Sequence, residues 1–190
     1  MKKKIVSLIL ILLSVSLLVF LYFKSYKKIV KYFYPTDYKE IVLRYCEQYS
    51  VDPDVVFAVI KNESGFDPNA ISSVGARGLM QLTEETYVWI GSKPEMAGTV
   101  SFDEMFDPET NIKFGVYLLK LAGESFESES AVYSSYHAGF SITREWLKDS
   151  RYSPDGKELT AVPYSDTENY IKKVKKSVQI YKKLYGGNYD

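Results

Sequence analysis

The chain opens on a block that is apolar at nearly every position. Ile5–Phe23 is nineteen residues without a charge, long enough at about 1.5 Å per residue to cross a bilayer core of about 30 Å as a helix. The run ends Leu17-Leu18-Val19-Phe20-Leu21-Tyr22-Phe23. These residues are bulky and offer no small-residue cleavage site of the kind that ends a signal peptide, so the segment is expected to remain as an anchor. Lysines flank it on both sides and leave its orientation open. Lys24–Tyr34 reads as a short basic stalk, ended by Pro35. The expected division is residues 1–34 as anchor and stalk, and residues 35–190 as one body.

After Pro35 the period of the pattern changes. Strand-like alternation is rare and helical spacing is frequent. Asp37–Tyr49 is apolar on one face. Asp52 can cap a helix that starts at Pro53, where proline is favoured. Val55, Val56, Val59 and Ile60 then make its inner face, and Gly65 is expected to stop it. Asp107-Pro108 repeats the cap-then-proline start, for a helix with Ile112, Val116, Leu119 and Leu121 inward. Ala131–Ala138 reads as a short buried helix ended by Gly139, and Ile142–Leu147 as another turn or two. Asp149–Val162 is polar and irregular. The last helix runs from about Asp166, with Tyr170, Val174, Val178 and Tyr181 on one side and lysines on the other. Helices wrapped about one core make a mainly-α domain.

Charge sharpens this division. The chain has 24 basic and 24 acidic residues. Seven of the basic ones fall in the first 34 positions, which hold no acid, so the body keeps 17 against 24, a net of −7. A body this acidic is a poor partner for nucleic acid, where phosphate neutralisation dominates affinity. The single cysteine, Cys46, allows no internal disulfide and no multi-cysteine metal site. It sits at helical spacing with Ile41, Val42, Tyr45 and Tyr49 and reads as a small buried hydrophobe.

One acid stands out. Glu63 follows the apolar Val55–Ile60 in the last turn of its helix. An apolar surrounding disfavours its charged form, and so does the negative end of the helix dipole. A glutamic acid kept protonated near neutral pH is what a general acid for a glycosidic oxygen requires. Position alone favours the plainer reading, an exposed helix-end glutamate.

The segment that follows carries a pattern. Glu63 to Leu82 reads ESGFDPNAISSVGARGLMQL, which resembles the signature of the soluble lytic transglycosylase (SLT) family, related in fold to goose-type lysozyme. Three later segments agree in order: DPETNIKFGVYLLKL at Asp107–Leu121, YHAGF at Tyr136–Phe140 and PYSDTENYIKKV at Pro163–Val174. Together they cover about Asp37 to Leu184. The resemblance implies a lysozyme-like helical fold preceded by the membrane helix, and a groove for glycan strands of alternating amino sugars. It implies that Glu63 protonates the bond oxygen between N-acetylmuramic acid and N-acetylglucosamine. The same residue would then act as base on the muramoyl 6-hydroxyl, giving a 1,6-anhydro end without metal or cofactor.

The resemblance also implies substrate contacts from Ser72, Gln81, Tyr136 and Tyr170. Gln81 offers both donor and acceptor groups, and Tyr136 can donate to Glu63 or to the sugar. Met80 is expected half in the core and half in the groove wall, with Gly75 and Gly78 permitting tight backbone beside it. Ordinary glycosidases pair two carboxylates, and the nearest second candidate, Asp67, reads as a turn residue. The chain departs from the family at His137, where asparagine is usual, and His137 reads as a hydrogen-bonded structural substitute. Thr83 stands where methionine is common and looks like a helix N-cap. Asp166 replaces a glutamate at the start of the last helix. The residues leave open a hydrolytic muramidase using the same glutamate, and a non-catalytic glycan-binding protein on the membrane. They also leave open an enzyme serving a secretion, conjugation or division apparatus.

Overall fold

The computed structural model describes residues 2–96, 98 and 101–189. It divides into two compact units, Met1–Pro35 and Thr36–Asp190. The first unit is one helix, α1, spanning Lys2–Phe33. Its stretch Ile5–Phe33 is long and apolar enough to cross a membrane, and its apolar eighteen-residue window is not buried inside the protein. The basic segment after Phe23, read from sequence as a short stalk, is helical as far as Phe33. Lysine and tyrosine are compatible with a helix interior, and no helix breaker intervenes before Pro35.

The second unit is helical, and its only β-pairing among the described residues is two isolated bridges. Its helices are α2 (Lys39–Tyr49), α3 (Pro53–Glu63), α4 (Glu84–Gly91), α5 (Pro108–Ser125), α6 (Glu129–Ala138), α7 (Phe140–Lys148) and α8 (Ser165–Tyr185). Their starts follow the capping chemistry. The Asp52 carboxylate accepts from the Asp54 N–H with Pro53 at the first helical position, and Asp107 accepts from Thr110 with Pro108 in the same place. Thr83 caps α4 by accepting from the Thr86 N–H. Two 3-10 turns escaped the sequence reading, the first at Pro94–Met96. Phe102–Phe106 is a 3-10 helix opened by a capping box between Ser101 and Glu104.

Helix α5 is the axis of the body. Asn111, Ile112, Phe114 to Leu119 and Ala122 are all buried, so it is enclosed almost all round, as a core helix is. Helix α2 packs against it on one side and α6 on another, while α8 lies along α3 and α6. Tyr170, Val174, Val178 and Tyr181 of α8 all face inward. The polar segment 149–162 is pinned in its second half. Asp155 accepts from the N–H groups of Lys157 and Glu158. Leu159 drops into a small cluster with Phe126, Ala131 and Trp146. Cys46 is 3% exposed, and burial pushes its thiol up to about 12, so it is inert as a nucleophile near neutral pH.

Candidate active site

Helix α3 ends at Glu63, and the chain then turns sharply. Gly65 and Phe66 both take positive φ, +61° and +72°. The Ser64 hydroxyl holds the turn from inside, donating to the Leu79 carbonyl at 2.8 Å and accepting from the Phe66 N–H at 3.1 Å. Asp67 accepts from the Asn69 N–H at 2.9 Å, a local turn bond of the kind aspartate favours.

The loop then folds back on itself through bridges between Ile71 and Arg77 and between Arg77 and Leu82. Its return is anchored by one side chain, Asn111 of α5, which is wholly buried. The Asn111 carbonyl oxygen accepts from the Met80 N–H at 2.7 Å. Its amide donates to the carbonyls of Arg77 and Met105, at 2.9 and 2.8 Å. Gly78, at φ +75°, lies so close to this amide that any Cβ there would collide with it and with the Met105 carbonyl. Met80 fits directly over Gly115 of α5, where a Cβ would strike its sulfur. It is fully buried and not on the groove wall. This corrects the expected half-and-half placement: the absence of a Cβ at Gly115 leaves room for the whole side chain.

Against this loop lies a groove of about 920 Å³. Glu63, Ser72, Gln81 and Tyr136 all line it. The Glu63 side chain keeps one face toward the groove and is otherwise surrounded. Burial pushes its carboxyl up to about 7, while a hydrogen bond from Tyr170 pulls the other way. The carboxyl is therefore substantially protonated at neutral pH, as general acid chemistry needs.

The supporting side chains are more committed than the sequence implied. The Ser72 hydroxyl accepts from the Ala76 N–H at 3.0 Å. The Gln81 amide donates to the carbonyls of Ala70 and Gly78, at 3.0 and 2.9 Å. This leaves its carbonyl oxygen as the group for a ligand, in place of the expected donor and acceptor pair. Gln81 itself sits at φ +48°, a strained backbone that these two bonds hold in place. The Tyr136 hydroxyl donates to the Met80 carbonyl at 2.7 Å, so its proton is not free for Glu63 or the sugar, and its oxygen remains as acceptor.

Tyr170 is not on the groove lining. It is 8% exposed and lies behind Glu63. Its hydroxyl is fully enclosed and has no partner at good hydrogen-bond geometry. The Glu63 carboxyl is nonetheless near enough to form a loose bond with it; burial first, and the Glu63 charge second, hold its phenol well above the ordinary range. His137 does reach the groove. Its Nδ1 lies 3.2 Å from the Thr167 hydroxyl, and its ring stacks on Tyr170 with centroids 4.6 Å apart. Burial lowers its pKa, with Asp166 opposing.

The sequence reading missed Asn111, whose three bonds hold the loop. It also missed Glu85, an exposed carboxylate of α4 on the same groove wall. Asp67, the second carboxylate considered from sequence, does not line the groove.

Comparison with known proteins follows this geometry. The profile of the transglycosylase SLT domain matches residues 40–159. The soluble lytic murein transglycosylase of Escherichia coli K12 is 31% identical over 144 residues, covering 74% of this chain and 22% of that protein. The membrane-bound lytic murein transglycosylase C of Edwardsiella ictaluri is 29% identical over 171 residues, covering 77% of this chain and 47% of that protein. The crystal structure of the 70 kDa soluble lytic transglycosylase from Escherichia coli matches with a TM-score of 0.73 at 28% identity, over 80% of this chain and 25% of that one. An inactive mutant of the lytic transglycosylase Slt from Pseudomonas aeruginosa gives 0.71 at 25% identity, over 81% of this chain and 25% of that one. The chain thus spans under a quarter of the soluble relative and just under half of the membrane-bound one.

Proposed function

The chain belongs to the transglycosylase SLT family, and on that footing we propose that its helical body is a peptidoglycan lytic transglycosylase with Glu63 as the sole acid and base. The observation that carries the reading is a glutamic acid at the groove wall whose carboxyl is pushed up to about 7 by burial. In the first step the Glu63 carboxyl gives its proton to the oxygen linking C1 of N-acetylmuramic acid to O4 of N-acetylglucosamine. The C1–O4 bond breaks and positive charge develops at C1. The Glu63 carboxylate then takes the proton of the muramoyl 6-hydroxyl as O6 bonds to C1. The proton lost in the first step returns to Glu63, and no water is consumed.

The surroundings suit both halves of this cycle. The enclosed side of the pocket keeps the carboxyl protonated before cleavage. The Tyr170 hydroxyl, which lacks another partner, favours the carboxylate formed after it. Ser72, the Gln81 carbonyl oxygen and the Tyr136 oxygen face the groove as candidate sugar contacts. Helix α1 would hold the body at a membrane as a single span, with the groove on the extracytoplasmic side where the wall lies. A membrane-bound relative and the apolar Ile5–Phe33 stretch support this placement.

The test is the mass of the products. Glycan strands incubated with the protein should yield fragments ending in 1,6-anhydromuramic acid, each one water lighter than a hydrolytic fragment. Fragments of the hydrated mass alone would assign the protein to the muramidases. Glu85 gives that second outcome a specific basis, since it puts another carboxylate on the same wall.

A further inference from the structure

A second cleft lies across α5 from the groove and shares no lining residue with it. It holds about 510 Å³ between the α2–α3 junction, the end of α5, the start of α6 and Lys182 of α8. Half-buried Val55 and Val132 and the buried Leu119 give it an apolar floor. Four carboxylates line it, those of Asp52, Glu124, Glu127 and Glu129. Lys120 and Lys182 line it too, and each is engaged, with Glu124 at 2.9 Å and with Asp52 at 3.2 Å. Lys157 reaches Glu127 at 2.8 Å from beyond the rim. The Asp52 bond holds Lys182 charged, and Glu129 adds to this at longer range. Three ammonium groups thus answer four carboxylates, and the cleft keeps one negative charge in surplus.

An acidic rim by itself shows no ligand. What sets this cleft apart is Tyr133 of α6. Its side chain is buried, with 2% exposed, and yet it lines the cleft. No described residue hydrogen-bonds its hydroxyl, and that oxygen, unlike the one of Tyr170, is not sealed in. Its charged neighbours are Glu129, one helical turn earlier, and Asp52, both on the cleft wall. Burial first, then these two charges, hold the phenol above its ordinary range. The hydroxyl therefore opens into the cleft between two carboxylates. A buried tyrosine usually finds a partner for its hydroxyl, and here that partner has to come from the cleft.

We propose that this cleft binds an aliphatic monocation, an ammonium group carried on a short apolar stem. The ammonium sits between the Glu129 carboxylate and the Tyr133 hydroxyl oxygen, and the stem lies on Val55, Leu119 and Val132. An ammonium has three N–H donors and no acceptor, so it can donate to the phenol oxygen and to carboxylates at once. Its single charge matches the surplus of the cleft. A divalent metal suits the cleft less well. Among the described residues no group of three or more ligating side chains is arranged to hold one, and an apolar floor offers no oxygen ligand. An ammonium of this kind comes either as a free small amine or as the lysine of a docked polypeptide.

The full-length chain in detergent is titrated by calorimetry with four probes, each corrected for its heat against detergent alone. They are n-butylammonium chloride, butan-1-ol, Nα-acetyl-lysine methylamide and the Nε-acetylated form of the last, which lacks its charge. The two cations should bind saturably, and the two neutral analogues should not. Tyr133→Phe should weaken the cations about fivefold and Glu129→Gln about tenfold, for the loss of one hydrogen bond and of one charged partner. Added salt should weaken them too. Thermal unfolding should stay close to wild type in both variants, since the hydroxyl has no protein partner to lose and Glu129 is exposed. Tighter binding of the lysine derivative would assign the cleft to a protein partner, and tighter binding of butylammonium to a free amine; either result supports the site. Equal affinity for the charged and neutral member of each pair would overturn it and leave only an apolar dent. So would cation binding that both variants retain in full, or no saturable binding of either cation.

Discussion

The two walls that meet at Glu63 are built by different physics. The wall from the loop, residues 64–82, is fixed by backbone. Gly78 and Gln81 hold left-handed conformations, and a single buried amide, Asn111, ties three backbone groups. The wall from α6 and α8 is fixed by ring burial: Tyr136 with its hydroxyl tied to Met80, and Tyr170 stacked on His137. The loop therefore supplies position, and the helices supply the dry surrounding that lifts the acid's pKa. A general acid at a helix end needs both, because a precisely held but solvated glutamate would be ionised at neutral pH.

The largest effect expected is that of Glu63→Gln on rate. Positioned acid–base catalysis contributes typically about 10²–10⁴-fold, and the proposed cycle gives one residue both roles, so the loss should approach or exceed the top of that range. The same variant probes the dry wall through stability. A carboxyl raised from 4.5 to about 7 is protonated in both states at acid pH and costs nothing there. As pH rises past 4.5 the unfolded chain ionises first, so the wild type loses stability up to about pH 7 and then levels off. The ceiling on this loss is roughly 3 kcal/mol at about 1.4 kcal/mol per pH unit, less whatever the open face of the carboxyl recovers from solvent. Urea unfolding at pH 4 and pH 8 should therefore show Glu63→Gln gaining on the wild type at the higher pH. Parallel pH dependences would mean that the helical wall does not shield the acid. A rate close to wild type in the folded variant would remove Glu63 from the chemistry.

Asn111→Leu attacks the other wall. It keeps approximate size but abandons the Met80 N–H and the carbonyls of Arg77 and Met105 in the core. An unsatisfied buried group costs about 1–3 kcal/mol, so a loss of at least about 3 kcal/mol is expected, seen in the urea midpoint. Any folded fraction should cleave poorly, because Ser72 and Gln81 lose their register. Stability close to wild type would show that the loop is held mainly by its own turns.

Tyr170→Phe should do less to stability and more to pH dependence. The hydroxyl has no strong partner to lose, but it lowers the Glu63 pKa. Its removal should move the alkaline limb of the kcat/KM profile to higher pH, with thermal unfolding nearly unchanged. A limb that stays in place would mean that the hydroxyl does not reach the carboxyl in solution.

The sequence disclosed these walls unequally, for physical reasons. Helix starts were legible where Asp-Pro pairs or Thr83 declare a cap, and α8 was legible from its amphipathic period. The loop was legible as a family pattern, but its anchor was not. A buried, fully bonded asparagine in a helix leaves no periodic trace, and its partners lie more than thirty positions earlier in part. Met80 was misplaced because nothing local announces that Gly115 opens a slot for it. Tyr170 was placed in the groove by its match to a family tyrosine, whereas α8 turns it to the core behind Glu63. Glu85 passed unnoticed, since an exposed glutamate in a helix's first turn is what dipole and solvation alone would produce.

The smallest effect expected belongs to Asp67→Asn, which separates one-carboxylate from two-carboxylate chemistry. Asp67 is exposed, and its one side-chain bond is to the Asn69 N–H. An asparagine oxygen can accept that bond equally well. The change should therefore alter stability within about 0.5 kcal/mol and leave the cleavage rate intact. The comparison gains force when Glu85→Gln is measured beside it. A pair of carboxylates across the bond is what the hydrolytic route uses, and Glu85 is the other carboxylate on the groove wall. If Glu63 works alone, neither substitution should approach the loss caused by Glu63→Gln, and the anhydro product should persist in both variants. A collapse of rate in folded Glu85→Gln, with hydrated products from the wild type, would instead make the two carboxylates a hydrolytic pair. The raised pKa of Glu63 would then mark the acid of that pair, and the α4 wall would supply its base.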